Sequence, residues 1–153
     1  MNLTFEDTTH DEADALVDIR IDAMRESLVR IGRFNPQRAR DRFLSSFDPV
    51  FCKFIVVNGV RAGFFVTRQV DNHLALEHLY IRPQYQGKGF GSSVLAAIFA
   101  DADLASIPVR VGALRNSDSN RFYQRRGFRK VGETEFDIYY VREPGERMTD
   151  RAR

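Results

Sequence analysis

Apolar and polar positions along this chain change period several times, and each change marks a boundary between elements. Ala13, Leu16, Val17, Ala23, Met24, Leu28 and Ile31 recur at helical spacing, with acids crowded into the early turns, the pattern of an amphipathic helix. Thr9-His10-Asp11-Glu12 precedes them as a capping box, in which the hydroxyl accepts from the backbone at Glu12 and the carboxylate reaches back. Gly32 supplies a stop, with a break near Arg20 as the alternative. Asn35-Pro36 opens a second helix running to Ser46, a cap followed by a first-turn proline. Leu3 to Phe5 reads as a short first strand. Phe51 to Val57 and Val60 to Val70 flank Asn58-Gly59, a two-residue hairpin signal. Asp71-Asn72 turns the chain into Leu74 to Ile81, and Pro83 closes that strand because it cannot donate to a ladder. Ser92 to Leu104 is helical, with Val94, Leu95, Ile98 and Ala102 inward. Ile107 to Leu114 is a strand, Asp118 to Arg126 a helix, and Gly127 its left-handed cap. Phe128 to Gly132 and Phe136 to Arg142 pair as a last hairpin. The order is mixed α/β, an antiparallel meander leading into a crossover helix, and not a doubly wound sheet. Residues 1–142 form a single domain, and 143–153, with Pro144, Gly145 and several charges, read as a frayed tail.

Composition narrows the class without deciding it. The 153 residues are 43% hydrophobic and 29% charged, the values of a soluble globular domain with a normal core. The net charge of +2 comes from dispersed basic residues, which gives no nucleic-acid footprint. No basic-then-apolar leader opens the chain and no stretch approaches the ~18 apolar residues of a membrane span, so neither membrane nor nucleic acid is expected as a partner and the cytoplasm is the default location. Cys52, the single cysteine, excludes an internal disulfide and lies in an apolar run as a core thiol. No cluster of His, Cys and acids has ligand spacing, so no metal is expected.

The chemistry concentrates in Gln84-Tyr85-Gln86-Gly87-Lys88-Gly89-Phe90-Gly91-Ser92. Three glycines at alternate positions between a strand and a helix let the backbone curl and offer its N–H groups, backed by the helix N-terminus. A strand, an amide-rich turn and a helix start make a phosphate cradle. A P-loop needs Ser or Thr after the Lys, and Lys88 is followed by Gly89. The dinucleotide fingerprint needs glycine or a small apolar residue where Ser92 stands, together with an early βαβ unit and a ribose-binding acid, neither of which is visible.

Gln86-Gly87-Lys88-Gly89-Phe90-Gly91 instead resembles the acyl-CoA loop, Q/R-x-x-G-x-G/A, of the GNAT-type N-acetyltransferase superfamily. Downstream, Asn116 after the strand Val109 to Leu114, then Phe122-Tyr123-Gln124-Arg125-Arg126-Gly127-Phe128, is similar to that family's second segment, Phe-Tyr-x-x-x-Gly-Phe behind an Asn. The resemblance is clear from Leu76 to Phe128. It implies the GNAT fold, a central, mostly antiparallel sheet of about six to seven strands flanked by about four helices. Two neighbouring strands splay to admit pantetheine in that family; here they would be Leu74 to Ile81 and Ile107 to Leu114.

What the resemblance implies can be carried over residue by residue. Backbone groups of Leu79, Tyr80 and Ile81 would hold the pantetheine arm, and the N–H groups of Gln86, Gly87, Lys88, Gly89, Phe90, Gly91 and Ser92 the diphosphate. Phe90 packs behind the loop, and Lys88 either adds a screened charge or is solvated. Asn116 matches the residue that bonds pantetheine, with an Asx-turn as its structural alternative. Tyr123 matches the phenol that protonates the departing thiolate; with pKa ~10 it is protonated at neutral pH. Its alternative is a helix tyrosine anchoring the core. Glu77 stands six residues before Pro83, where relatives carry the carboxylate that deprotonates the amine, directly or through water. Alternation puts Glu77 on one face of its strand and His78 with Tyr80 on the other. A Glu in an apolar strand is costly without a purpose; a strand-edge partner for an arginine is the alternative. His78 is the rival base, more naturally a structural imidazole. His10 and His73 look solvated. In the basic group Arg115, Arg121, Arg125, Arg126, Arg129 and Lys130, only Arg121 lies near enough in sequence to meet a phosphate.

The expected activity is transfer of an acetyl group from acetyl-CoA to a primary amine by direct attack in a ternary complex. The first two helices, Asp11 to Phe47, form the acceptor wall by resemblance. Asp14, Asp18 and Asp22 there either attract a cationic amine or form a solvated face. The acceptor stays open among polyamine, amino acid, aminoglycoside-like drug and protein N-terminal or lysine amine, as does a homodimer. A non-catalytic acyl-CoA sensor and, more distantly, a nicotinamide oxidoreductase are the alternatives of other classes.

Overall fold

The backbone around Asn58-Gly59 takes left-handed angles at both residues, φ 49° and 82°, the geometry that matches the twist of a two-residue hairpin. In the computed structural model, which describes residues 2–30, 32 and 35–145, that turn joins β2 (Cys52–Val57) to β3 (Val60–Val70), with Val57 opposite Val60. The other strands are β1 (Leu3–Asp7), β4 (His73–Ile81), β5 (Val109–Leu114), β6 (Arg129–Glu133) and β7 (Asp137–Arg142); the helices are α1 (Ala13–Arg30), α2 (Pro36–Ser46), α3 (Phe90–Leu104) and α4 (Ser119–Arg125). Seven strands are hydrogen-bonded in the order β1-β2-β3-β4-β5-β7-β6. The β1–β2, β2–β3, β5–β7 and β6–β7 pairs are antiparallel, and β4–β5 is parallel. Mixed α/β is thus the class, as the sequence pattern predicts.

Two compact units make up the chain, and β4 contributes its halves to different ones. The first unit comprises residues 1–67 and 77–91. Its core joins Leu16, Val17 and Ile19 of α1 and Phe43 of α2 to Cys52, Phe54, Val56, Phe64 and Val66. Each such side chain contributes roughly 1.5–3 kcal/mol when fully buried. Leu16 and Val17 come from the predicted stripe, but Ile19 does not, and Ala23, Met24 and Leu28 are only half-buried; Ile31 lies outside the described residues. The helix runs unbroken through Arg20. The capping box starts a 3-10 turn, His10–Glu12, that leads into the helix, with the Thr9 N–H donating to Glu12 at 3.0 Å. Asn35 accepts from the Arg38 N–H at 3.0 Å ahead of Pro36, so the second helix starts where its cap predicts. At Gly63 in β3 a Cβ would stand 2.2 Å from the Tyr80 carbonyl oxygen of β4.

Residues 68–76 and 92–153 form the second unit. Its parallel ladder pairs Leu74, Ala75 and Leu76 with Val109, Arg110 and Val111. On its other edge β5 pairs with β7 from Val109–Arg142 to Leu114–Asp137. Val94, Leu95, Ile98 and Ala102 are buried as their spacing predicts. Beyond β7, the tail begins anchored: Arg142 pairs with Asp103 of α3 at 2.6 Å, and the Gly145 N–H donates to the same carboxylate at 2.9 Å. Of the residues read as a tail, Glu143 pairs with Arg129 and Gly145 bonds Asp103; 146–153 lie outside the described residues. Among the described residues, no helix is long and apolar enough to cross a membrane.

Candidate active site

Pro83 ends β4 and a single 3-10 turn, Pro83–Tyr85, leads into the glycine segment. Gly87 and Gly89 take φ 73° and 86°, angles that a residue bearing a Cβ adopts only with strain. A Cβ at either would meet no atom within 4 Å, so the space over this turn is open. The helix behind it starts at Phe90, ahead of the predicted Ser92, because the left-handed turn finishes at Gly89. Gly91 thus sits in the first turn of α3 and contributes its N–H from helical geometry. Phe90, Gly91 and Ser92 belong to the turn whose N–H groups lack an intrahelical acceptor. Phe90 is buried against Val57 and Ala62, with Leu3, Ile81 and Tyr85 around them, so its side chain packs behind the turn. Lys88 is exposed.

Gln86 behaves differently from its neighbours. Its N–H already donates to the Pro83 carbonyl at 3.2 Å, and its side-chain amide donates to the Ile81 carbonyl at 2.8 Å. It ties the turn to the end of β4, with one N–H of its side-chain amide still unused by that bond.

On β4, alternation separates Glu77 from His78 as predicted. Glu77 is exposed, so the burial cost that singled it out in the sequence is absent. His78 stands among the rings of Phe43, Phe64 and Tyr80, with centroids at 5.5, 6.3 and 5.5 Å. Its Nδ1 is 2.9 Å from the Tyr80 hydroxyl, which itself accepts from Arg20 Nε at 3.2 Å. Whichever of the two neutral tautomers is present, the Nδ1 position is occupied by the Tyr80 hydroxyl. Burial, with the Arg20 charge second, pulls His78 down from 6.5 to about 4. It is neutral at physiological pH, and its pKa lies far below the near-neutral value that made it the rival base.

The second unit carries Ser92, Asn116 and Tyr123. Asn116, at the exit of β5, is exposed and takes φ 68°, an angle asparagine tolerates better than most residues. Tyr123 on α4 is 5% exposed, edge-on to Phe128 at 5.3 Å and tilted against Tyr140 at 6.4 Å. Gly127 closes α4 with φ 94°. Asn120, which no motif singled out, fastens the start of that helix: its side-chain amide donates to the Leu114 and Ser117 carbonyls at 2.9 and 3.0 Å.

The model of the acetyltransferase (GNAT) domain matches residues 51–130, more than half of the 153-residue chain. The chain belongs to the GNAT acetyltransferase family. It is accordingly an acyltransferase by family. Among curated proteins, none matches it. Solved structures share the GNAT fold at low identity. The PaiA N-acetyltransferase of Thermoplasma acidophilum, in complex with coenzyme A, aligns at TM-score 0.74 and 15% identity over 94% of this chain and 99% of that one. An acetyltransferase of Thermus thermophilus aligns at 0.73 and 19% over 94% and 97%. The ribosomal-protein alanine N-acetyltransferase of Escherichia coli aligns at 0.72 and 17% over 95% and 96%.

Within this GNAT chain the basic group near α4 sorts itself by partner. Arg115 and Lys130 both pair with Glu133, and Arg129 pairs with Glu143 at 3.1 Å. Arg126 is the one whose guanidinium lies on the helix start, donating from Nε to Ser92 Oγ at 2.8 Å and also from Nη2. Arg121, the residue to which the sequence pointed, is exposed on α4, whereas Arg126, the cap residue just past α4, reaches Ser92. Among the described residues, no group of His, Cys, Asp and Glu could hold a metal ion.

Proposed function

We propose that this GNAT protein transfers an acetyl group from acetyl-CoA to a primary amine by direct attack within a ternary complex. The observation that carries the proposal is the glycine turn, with two left-handed glycines, open space over both, and a helix start directly behind. That combination suits a diphosphate, which needs convergent N–H donors and no steric obstruction. The coenzyme A bound to the Thermoplasma enzyme of the same fold supports acyl-CoA as co-substrate.

In this reading the N–H groups of Gly87, Lys88, Gly89, Phe90, Gly91 and Ser92 hold the diphosphate, with Arg126 and Lys88 adding charge. Main-chain groups of Leu79, Tyr80 and Ile81 carry the pantetheine arm, Asn116 bonds it further along, and Gln86 fixes the turn to β4. Transfer needs a neutral amine, a polarised carbonyl and a protonated leaving thiolate. The sulfur–acyl carbon bond breaks as the nitrogen–carbon bond forms. Tyr123 gives its phenolic proton to the sulfur, and Glu77, acting through water, takes one from the amine. The exposure of Glu77 suits a water-mediated role. α1 and α2 line the acceptor side, and the enzyme acts in the cytoplasm on a small-molecule amine.

A protein N-terminal amine is the second acceptor reading, favoured by the alanine N-acetyltransferase of Escherichia coli among the neighbours. Release of free thiol from acetyl-CoA against a panel of amines tests the proposal. Turnover on at least one amine is expected; binding of acetyl-CoA with no turnover on any would make the chain an acyl-CoA sensor.

A further inference from the structure

Arg20 stands apart from the paired charges of α1. The acids of α1 that could draw in a cationic amine are largely spoken for: Asp14 pairs with Arg40 at 2.5 Å and Asp22 with Arg82 at 3.1 Å. Asp18 is exposed. Arg20, by contrast, is half-buried and, among the described residues, has no carboxylate within ion-pair distance. Its Nε donates to the Tyr80 hydroxyl at 3.2 Å and its Nη1 to the Ala39 carbonyl at 2.8 Å. The guanidinium carbon lies 5.8 Å from the Tyr80 ring centroid. Tyr80 in turn rests on His78, which is neutral. A cation is therefore held among an aromatic ring, a neutral imidazole and a carbonyl, with no ion-pair partner among the described residues.

Removing a charge from water without pairing it is costly, and neither of its two acceptors is anionic. Those acceptors leave three N–H groups, one on Nη1 and two on Nη2. No atom of Arg20 is both sealed from solvent and unbonded, so Nη2 reaches water. The two hydrogens of Nη2 and the spare one on Nη1 are the donors that a carboxylate can meet.

We infer that Arg20 receives a carboxylate of the acceptor, which makes the substrate an amine that is also an acid: a free amino acid, rather than a polyamine or an aminoglycoside. The inference rests on the acetyl-transfer reading above, in which Tyr80 belongs to the strand segment that carries the pantetheine arm. Arg20 determines specificity and takes no part in the chemistry. The aromatic and imidazole surroundings lower the local dielectric and strengthen the pair once the carboxylate has arrived.

The test compares the common L-amino acids with their carboxamides, and with spermidine, as acceptors for the wild-type protein with acetyl-CoA. The acids should exceed their own amides in kcat/KM by about tenfold or more, the worth of a charge-assisted pair. In Arg20→Gln the KM for an acid should rise about 10- to 100-fold, with the KM for its amide, the KM for acetyl-CoA and kcat little changed. Arg20→Lys, which keeps the charge and loses the fork, should fall between. Protein saturated with coenzyme A should gain thermal stability from the acid and not from the amide, and Arg20→Gln should abolish the difference. Amides or spermidine outrunning the acids in the wild type would overturn the inference and leave acetyl transfer standing, and that comparison needs no folded variant. An equal rise in KM for acid and amide in Arg20→Gln would also overturn it, by making Arg20 a clamp between α1, α2 and β4. Absence of thiol release with every amine would remove the transferase reading and this inference with it.

Discussion

The phenol of Tyr140 donates to Oδ1 of Asn120 at 2.8 Å, joining the middle of β7 to the first turn of α4. Asn120 spends its side-chain N–H groups on Leu114 at the end of β5 and on Ser117 in the turn after it, so one asparagine ties two strands to one helix. Tyr140 is 2% exposed, and removing its hydroxyl leaves an amide oxygen facing a phenyl ring. Tyr140→Phe should cost about 1–2 kcal/mol in urea unfolding, and should add little in a background that already carries Asn120→Ala, which also loses the bonds to Leu114 and Ser117. Fully additive losses would mean that the bond carries no stability.

Tyr123→Phe separates the two meanings of that residue. The ring contacts with Phe128 and Tyr140 survive the change, and urea unfolding of the variant measures any loss of stability separately from the loss of turnover. If the phenol protonates the leaving thiolate, kcat should fall by about 10²-fold or more, with the KM for acetyl-CoA almost constant. Equal losses in turnover and acetyl-CoA affinity would count against the donor role.

Arg126→Gln removes the guanidinium from Ser92 Oγ. The KM for acetyl-CoA should rise several-fold, about the value of one charge-assisted phosphate contact at an exposed site. Arg121→Gln should leave it unchanged. Steady-state kinetics at fixed amine decides between them, and the opposite ranking would restore the residue that sequence proximity favours.

Gly63→Ala tests how closely β3 and β4 approach. The new methyl would stand 2.2 Å from the Tyr80 carbonyl oxygen, a main-chain atom that no rotamer change can move aside. A loss of about 1–3 kcal/mol is expected from such overpacking, together with weaker acetyl-CoA binding, since the displaced segment is Tyr80–Ile81. A stable variant with unchanged coenzyme affinity would contradict both.

His78 sets a pH window for stability. The unfolded chain takes up a proton near pH 6.5, whereas the folded chain refuses it until about pH 4. Its contribution is therefore complete above the unfolded value and lost progressively as pH falls to the folded one. The loss amounts to at most about 3 kcal/mol by linkage. Asp103, held below its ordinary 3.8 by Arg142, and Glu133, held at about 2 by Lys130 and Arg115, lose theirs only at lower pH. His78→Phe should flatten the urea-unfolding free energy between about pH 6.5 and about pH 4.5; an unchanged slope would assign the dependence elsewhere.

Local signals carried most of the fold into the sequence. Asn58-Gly59, Asn35-Pro36, the Thr9 box and Gly127 each act within a few residues, so their positions need no tertiary knowledge. The glycine turn and the Phe-Tyr-x-x-x-Gly-Phe segment are local in the same sense. What could not be read are pairings set by which faces meet: Arg20 on Tyr80, 60 residues apart, and Arg126 on Ser92, 34 apart. Ile19, three residues after Leu16, is buried at the edge of the stripe, and which edge of a helix meets the core is likewise set by its partners. Burial was misjudged at Glu77, where an apolar strand sequence suggested an interior that the exposed carboxylate does not have.

Cys52 is 0% exposed, and burial raises its thiol to about 11. Every acetyl transferred would liberate one molecule of a small, reactive thiol beside the protein. Since the chain's lone sulfhydryl is both sealed away and protonated, it can neither capture an acyl group from the donor nor form a mixed disulfide with the spent carrier. Oxidising conditions that convert the by-product to its disulfide should leave the folded polypeptide at its unmodified mass.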